Sequence, residues 1–430
     1  MFGKNPISSA DGKIAILVPG MGAVATTFFA GVEAARKGWS APIGSVTQMG
    51  SDADGVPIQD LLPLAGLDQM IFGGWDIYPD TAFDAAKRAA VLTPEHLEKS
   101  KELLAGIKPM TAVFDSNYIK NISGPNTKSY QTKWEASLLL QDDIKNFILD
   151  NGCDRAVSVW CGSTERYVEI SEVHLTIEAF EEGLKNNDPA IAPSMIYAHA
   201  LLKSGIPMAN GAPNLALDCP AIIQLAEREG VAIAGKDFKT GQTLIKTIVA
   251  PGLAARSLGV RGWYSTNILG NTDGAVLDDP ESFKTKEKSK LSVLESILDK
   301  DASPDLYGNM CHKVRIDYYP PRGDNKEGWD NIDIFGWMGY DMQIKINFLC
   351  RDSILAAPLV LDLALLMDAA NRAKLSGIQE WLSFFFKAPQ TSDGKFPEHD
   401  LFNQRTMLFD MLHSFVEEDV LPEVGAGAAE

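Results

Sequence analysis

Basic residues are scarce in this sequence relative to acidic ones. The 430 residues include 39 Lys and Arg against 57 Asp and Glu, which gives a formal net charge of -18. Nucleic acids and anionic membrane surfaces are bound through a basic protein surface, so we expect neither as a partner. A local basic pocket for a small anion remains open, because such a pocket needs only a few lysines.

Cysteine is rare as well, and no apolar stretch has the length of a membrane span. The five cysteines are odd in number and widely spaced, which predicts neither a disulfide framework nor a zinc site. A reducing cytoplasm is the simplest setting for them. The first residues lack the apolar run of a signal peptide. The longest apolar stretch begins at Ile354 and is interrupted by Asp362 and Asp368, so we expect a buried helix there.

A glycine-containing turn stands near the start of the chain. A buried strand is predicted from Lys13, and a helical pattern continues to Lys37. The residues between them form a GxGxxA sequence, Gly20-Met21-Gly22-Ala23-Val24-Ala25. Bare backbone N–H groups at such a turn can approach a pyrophosphate at the positive end of a helix. The pattern predicts dinucleotide binding, with a purely structural turn as the alternative. The acid expected about 20 residues later is missing, since Asp52 and Asp54 lie in a polar loop.

Further alternation of strand and helix patterns predicts a doubly wound α/β domain up to about Lys246. The strand-like runs end in small or polar residues, as strands do beside a ligand crevice. They are GSVTQ from Gly44, QMIFGGWDI from Gln69 and AVSVWCGST from Ala156.

The pattern changes after Gly270. Two runs that begin at Lys313 and Asp341 alternate polar and apolar residues, which predicts an antiparallel sheet with one wetter face. The turn-rich RGDNKEGWDN between them predicts a loop. From Ser353 we expect helices throughout, apart from the loop TSDGKFPEHD, and we expect the last helices to pack back on the first domain.

Four lysines crowd together within an otherwise acidic chain, at Lys284, Lys286, Lys288 and Lys290. In a helix, Lys286 and Lys290 would share one face, where like charges repel. An anionic ligand would relieve that repulsion. The alternative is a solvated helix face that is balanced by neighbouring acids.

Five stretches of the chain together resemble the myo-inositol-phosphate synthase family. They are NGAPNLALDCPAIIQLAE from Asn210, AGKDFKTGQTLIK from Ala234, STNILGNTDG from Ser265, SFKTKEKSK from Ser282 and RGDNKEGWD from Arg322. The resemblance covers nearly the whole chain. It implies a Rossmann-like, doubly wound α/β domain that binds NAD (1–246), an inserted α+β domain with a mainly antiparallel sheet for catalysis and oligomerisation (247–353), and C-terminal helices that return to the first domain (354–430). It also implies a homotetramer.

The activity implied by the resemblance converts D-glucose 6-phosphate to 1D-myo-inositol 3-phosphate without net redox change. Carbon 5 is oxidised, carbon 6 loses a proton, the enolate attacks the carbon 1 aldehyde, and the ketone is reduced by the same NAD. Lysines suit this chemistry, because ammonium groups in a shared, desolvated pocket can exchange protons near neutrality.

By family position, Lys286 would serve carbon 5, and Lys326 and Lys387 would serve the oxygens that change during ring closure. Asp237, Asp273 and Asp352 would orient the lysines or the nicotinamide end of NAD. The implied catalytic residues are Lys286, Lys326, Lys387, Asp237 and Asp352. The implied substrate-binding residues are Lys290, Thr240, Gly241, Leu269 and Asn271. The implied cofactor-binding residues are Gly20, Gly22, Ala23, Val24, Ala25, Asp76, Ile77, Gly162, Thr164, Asp273 and Ser353. Without the resemblance, each of these lysines reads as a surface residue.

The sequence departs from the family pattern at a few positions. The usual GGNNG-type loop is Gly22-Ala23-Val24-Ala25 here, and the usual pair of aspartates is Lys236-Asp237, which adds a charge near the phosphate site. No dedicated carboxylate cage is visible, and relatives use either a divalent or a monovalent cation, so the metal stays open. Two other functions also stay open: a dehydrogenase that acts on a related sugar or polyol phosphate and releases NADH, and a non-catalytic NAD-binding protein.

Overall fold

The computed structural model describes residues 6–277, 293–392 and 396–416, apart from the side chains of residues 272, 273 and 277. The strands are β1 (Ile14–Pro19), β2 (Met70–Asp76), β3 (Met110–Thr111), β4 (Arg155–Trp160), β5 (Met208–Asn210), β6 (Ala232–Gly235), β7 (Gly259–Leu269), β8 (Cys311–Tyr318), β9 (Asn325–Phe335), β10 (Asp341–Arg351) and β11 (Gly377–Ile378).

The helices of the first half are α1 (Ala23–Arg36), α2 (Val46–Met49), α3 (Ile58–Leu61), α4 (Ala82–Ala89), α5 (Pro94–Lys99), α6 (Lys101–Gly106), α7 (Lys133–Asn151), α8 (Ile177–Lys185), α9 (Pro193–Lys203) and α10 (Pro220–Glu229). Those that follow are α11 (Gly241–Ala255), α12 (Thr272–Leu277), α13 (Pro304–Tyr307), α14 (Asp352–Arg372) and α15 (Leu401–Ser414).

The first sheet has seven strands in the order β11-β6-β5-β4-β1-β2-β3, and its pairs are parallel. Two apolar cores cover its faces, one with α1 and α14 and the other with α7, α9 and α10. The order reverses between β1 and β4, which opens a crevice at the carboxyl ends of these strands. The predicted doubly wound α/β fold is confirmed.

The second sheet has four strands in the order β10-β9-β7-β8. The pairs β10-β9 and β9-β7 are antiparallel, whereas β7-β8 is parallel. Helix α11 packs on this sheet through Leu253, Trp263 and Ile332. The prediction of a mainly antiparallel sheet is confirmed.

The prediction of a loop over RGDNKEGWDN is wrong, because the central strand β9 begins at Asn325 within it. Turn-forming residues are tolerated there since β9 pairs along its length with β10 on one side and β7 on the other. Every second residue from Lys326 to Ile334 is buried. Pairing on both edges outweighs the local composition.

The strand predicted for GSVTQ at Gly44 is also wrong, since this segment forms α2. Its N-cap residue Ser45 accepts a hydrogen bond from the Gln48 backbone at 3.3 Å. The buried carboxylate of Asp362 accepts further hydrogen bonds from the backbone N–H groups of Val46 (2.8 Å) and Thr47 (3.0 Å). A distant acid therefore satisfies the free donors of a helix start, a contact that local sequence cannot reveal.

Helix α14 confirms the buried helix predicted from Ile354. Within the described residues it alone has the length and composition to cross a membrane, and 78% of its most apolar window is buried inside the protein. Its acid Asp368 is paired with Arg155 (2.8 Å) and Arg372 (2.9 Å). It is the core helix beneath α1.

The region after α14 is less helical than predicted. Strand β11 adds an edge to the first sheet through Gly377, whose N–H donates to Val231 at 2.9 Å, and Gln379, whose N–H donates to Ile233 at 2.9 Å. A 3-10 helix, Glu380–Phe385, follows before α15. Gly377, the first residue of β11, has a φ of 65°, a conformation that costs glycine little.

Candidate active site

The glycine turn joins β1 to α1 and is built from bare backbone. Gly20 has a φ of 87°, and a Cβ on it would lie 2.3 Å from the Gly162 Cα, so no other residue fits without movement. A Cβ on Gly22, the N-cap of α1, would meet no atom within 4 Å. The turn therefore leaves the positive end of a 14-residue helix open to an anion.

Asp76 bonds to the backbone of this turn through its carboxylate. It ends β2, and its Oδ2 accepts a hydrogen bond from the Met21 N–H at 2.8 Å, while Oδ1 accepts one from the Tyr78 N–H at 3.0 Å. Burial raises the pKa of the carboxyl. The second strand therefore does end in an acid, which comes after α2 and α3 in the sequence and bonds to the glycine turn.

The other predicted cofactor residues lie around the same crevice. Gly162 follows β4 and abuts Gly20, and Thr164 beyond it is buried. Ile77 follows Asp76, and its carbonyl accepts a hydrogen bond from the Asn126 N–H at 2.8 Å. In the first turn of α1, the buried Ala25 faces the core while Ala23 and Val24 are partly exposed.

A buried ion pair joins Asp237 to Lys387. The Lys387 Nζ lies 3.2 Å from the Asp237 Oδ1, and the Lys387 N–H donates to the Asp237 carbonyl at 2.6 Å. Both residues are 3% exposed. Asp237 follows β6 and has a φ of 64°, which short polar side chains adopt more readily than most. The link brings residues 150 positions apart into one cluster.

A second buried pair joins Lys326, on β9, to Asp352, at the start of α14. The Lys326 Nζ donates to the Asp352 Oδ2 at 3.1 Å. Gly241 lies against this lysine, since a Cβ on Gly241 would be 3.7 Å from the Lys326 Cδ and Cε and 3.9 Å from the Cys350 Sγ. The first turn of α11 and the end of β10 thus meet at Lys326.

Cys350 is a site residue that the sequence reasoning missed. Burial raises the pKa of its thiol to about 11, and the charges of Asp352, Lys326, Lys387 and Asp324 act on it as well. Both ion pairs therefore lie around one neutral thiol. The only sequence signal was its position two residues before the predicted catalytic residue Asp352.

Asp324, also missed, connects two residues that were predicted from separate stretches of the sequence. Its Oδ1 accepts a hydrogen bond from the Ser353 hydroxyl at 2.7 Å, and its carboxyl also bonds the Asn271 side chain. Burial raises its pKa, and Arg351 lies 3.8 Å away. Asn271 follows the buried Leu269 at the end of β7 and accepts a bond from the Gly274 N–H at 3.0 Å. Predicted substrate and cofactor residues therefore share one carboxylate.

Some predicted residues fall outside the described part. Lys286 and Lys290 lie outside the described residues, as does the side chain of Asp273. Lys236 was expected to add a charge near the phosphate site, but its ammonium group forms an ion pair with Asp218. Over the described residues, no group of three or more His, Cys, Asp and Glu side chains has the geometry of a metal site.

Comparisons with known proteins agree on one family. Residues 14–413 match the family model described as myo-inositol-1-phosphate synthase. The chain is 51% identical to inositol-3-phosphate synthase 1 of Bacteroides thetaiotaomicron, over 96% of this chain and 98% of that protein. It is 32% identical to the inositol-3-phosphate synthase of Saccharomyces cerevisiae, over 87% and 77%. The crystal structure of inositol-3-phosphate synthase from Caenorhabditis elegans superposes with a TM-score of 0.88 at 26% identity, covering 99% of this chain and 91% of that one.

Proposed function

The chain belongs to the myo-inositol-1-phosphate synthase family, and we propose that its chemistry takes place at the two buried ion pairs around Cys350. It catalyses the NAD-dependent isomerisation of D-glucose 6-phosphate to 1D-myo-inositol 3-phosphate. The reaction proceeds by oxidation at carbon 5, enolisation, intramolecular aldol closure and reduction of the same carbon.

The observation that carries the site assignment is the placement of two lysines and two carboxylates from four distant segments. Lys326 and Lys387 are 4% and 3% exposed, and each is held by its own acid, Asp352 and Asp237. Charges so deeply buried are costly unless paired, and pairing fixes their direction. Such fixed ammonium groups can stabilise a developing oxyanion without reorganisation.

The residues of the glycine turn fit NAD. Gly20 and Gly22 bring bare backbone to the N-terminus of α1, and Asp76 holds the turn through the Met21 N–H. These groups would bind the pyrophosphate, and Thr164, Asp273 and Ser353 would approach the nicotinamide half. When bound, NAD supplies the hydride acceptor and donor for carbon 5.

The chain's own residues move the protons. Lys286 would accept the proton of the carbon 5 hydroxyl and return it at the end of the cycle. Lys326 and Lys387 would hold the oxygens that become anionic, the enolate oxygen during loss of the carbon 6 proton and the carbon 1 oxygen during ring closure. The carbon 6 proton would pass to this set of lysines and the carbon 1 alkoxide would take one proton from it, so ring closure consumes no proton. Asp352 and Asp237 keep these two ammonium groups aligned.

The substrate phosphate would lie at the N-terminus of α11. Thr240 is the N-cap residue and Gly241, with a φ of 56°, begins the helix. Their position offers backbone donors and the positive helix end to an anion. The backbone near Leu269, the side chain of Asn271 and the charge of Lys290 would complete this site.

The assignment is tested by incubating the purified protein with NAD and D-glucose 6-phosphate and following both product and cofactor. We expect inositol phosphate to accumulate with no lasting rise in NADH absorbance. A steady rise of NADH without inositol phosphate would contradict the assignment and favour the dehydrogenase alternative. Repeating the reaction with a chelator and with added monovalent or divalent cations would decide the metal requirement.

Assembly is proposed as a homotetramer built on the second sheet. Large apolar side chains are exposed on and beside this sheet, including Trp337 (89%), Met338 (79%) and Leu349 (60%). Exposed apolar surface of this kind favours burial against a further copy. Light scattering coupled to size exclusion should give four times the chain mass, and a monomer would contradict this.

We keep the division into 1–246, 247–353 and 354–430 and the cytoplasmic location as proposals. Support for the division comes from α14, which packs against α1 of the first part. Support for the location comes from the cysteines, all five of which are free thiols.

A further inference from the structure

Lys239 is a buried lysine beside the proposed phosphate site that the mechanism above does not use. It immediately precedes Thr240 and Gly241, and it is 4% exposed. Burial lowers the pKa of its ammonium group to about 7, and the charges of Glu398 and Asp400 oppose that shift. A lysine kept in such surroundings needs a structural or functional reason.

The ammonium group of Lys239 bonds to the C-terminal helix α15 and not to a residue of the two ion pairs. Its Nζ donates to the Oε1 of Gln404, on α15. The amide nitrogen of Gln404 in turn donates to the Glu398 carbonyl, and the Gln404 N–H donates to the Asp400 carbonyl at 2.9 Å. Gln404 is itself fully buried, so a single amide links the lysine to the start of α15.

The main chain at Lys239 is also fixed. Its N–H donates to the Phe385 carbonyl at 2.8 Å, and its ammonium group lies 5.8 Å from the centre of the Phe384 ring. The neighbouring His399 is buried, and burial together with the charge of Lys239 lowers its pKa to about 4, so it is neutral near pH 7. It adds no competing positive charge to this cluster.

We propose that Lys239 is a positioning residue. Its hydrogen bond to Gln404 fixes the turn of Thr240 and Gly241 in the position that binds the substrate phosphate. This inference rests on the proposed function, because it takes that turn as the phosphate site. The phosphate contacts would be made by the turn and not by Lys239. Loss of the hydrogen bond between Lys239 and Gln404 would therefore weaken substrate binding and leave the chemical step largely intact.

The test is a double-mutant cycle with Lys239→Met and Gln404→Leu, read as KM and kcat separately. We expect each single variant to raise the KM for glucose 6-phosphate by roughly 5- to 10-fold with kcat within about 2-fold, as the loss of one buried hydrogen bond implies. Because both act through one contact, the double variant should be no worse than the poorer single variant. Lys203→Met is the matched control, since Lys203 forms a partly exposed pair with Glu229 at 3.1 Å.

Binding of D-glucitol 6-phosphate, an open-chain analogue without the aldehyde needed for ring closure, separates this inference from the proposed function. Its Kd should rise in both variants even if the wild-type protein has no synthase activity. If Lys239→Met does not fold, the Kd and KM of Gln404→Leu decide the result. Unchanged KM and Kd, or a loss confined to kcat, would overturn the proposal, and so would fully additive effects.

Discussion

The glycine turn and the lysine pocket are built in opposite ways. The turn consists of backbone within one short segment, braced by the single carboxylate of Asp76. The pocket consists of side chains from segments far apart, held by the pairs Lys326–Asp352 and Lys387–Asp237. A backbone site can lose side chains, as the GGNNG-type loop has here, and still bind a pyrophosphate. A side-chain site depends on each residue that it contains.

The largest effect expected from this contrast is on Lys326. Lys326→Met should lower the rate of inositol phosphate formation by about 10²- to 10⁴-fold, the usual contribution of a positioned proton-transfer or oxyanion group. NAD affinity should remain near that of the wild type, because the turn is separate from the pocket. Cofactor fluorescence titration and a product assay check both parts, with Lys203→Met as the control. Retained activity would show that the pocket does not depend on this side chain.

Two glycine variants test whether the glycine turn depends on bare backbone. Gly20→Ala should destabilise the protein by about 1–3 kcal/mol, because its φ of 87° and the contact with Gly162 both oppose a Cβ. Gly22→Ala should cost less than about 1 kcal/mol of stability, since its Cβ meets nothing and only the N-cap preference for glycine is lost, and it should lower NAD affinity by roughly 5-fold by crowding the bare backbone. Urea unfolding and NAD titration measure the two quantities. Equal stability losses in both variants would contradict this account of the turn.

Asp324 tests the contact between a predicted cofactor residue and a predicted substrate residue, since it bonds Ser353 and Asn271. Asp324→Asn keeps the shape but removes the charge, so the KM for substrate should rise by roughly 10-fold, in line with about 1–3 kcal/mol for an impaired buried hydrogen bond. Steady-state kinetics measure this effect. The exposed variant Asp305→Asn serves as the control, and a KM equal to that of the wild type in Asp324→Asn would argue against the connection.

The last prediction concerns stability and not catalysis, at Glu165, which follows Thr164 and accepts a hydrogen bond from the Ser194 N–H at 2.8 Å. Burial raises its pKa to about 7. The folded state thus holds this proton more tightly than the unfolded chain, so its contribution to stability is full below about pH 4.5 and is lost as the pH rises to about 7. Through Glu165, the free energy of unfolding of the wild type should fall by up to about 1.4 kcal/mol per pH unit over this range. Glu165→Gln mimics the protonated form and should not show this fall. Urea unfolding from pH 4.5 to 7.5 compares the two proteins, and parallel curves would contradict the sign.

The two regions also differ in how far the sequence predicts them. The strand, turn and helix around Gly20 follow from local pattern, because backbone geometry there depends on neighbouring residues. The pairing of Lys387 with Asp237 does not, since 150 residues separate them. The same limit explains the missed roles of Cys350 and Asp324, the misread strand β9 and the helix α2 that Asp362 stabilises from α14. Family resemblance supplied the residues of the pocket, but only the fold supplied their partners.

The central claim is a redox-neutral cycle at one site, and deuterium at carbon 5 of glucose 6-phosphate tests it most directly. The deuteride removed from that carbon should return to it, so mass spectrometry should find the label retained in inositol phosphate with NAD present in substoichiometric amount. Loss of the label, or consumption of one NAD for each product formed, would contradict the account.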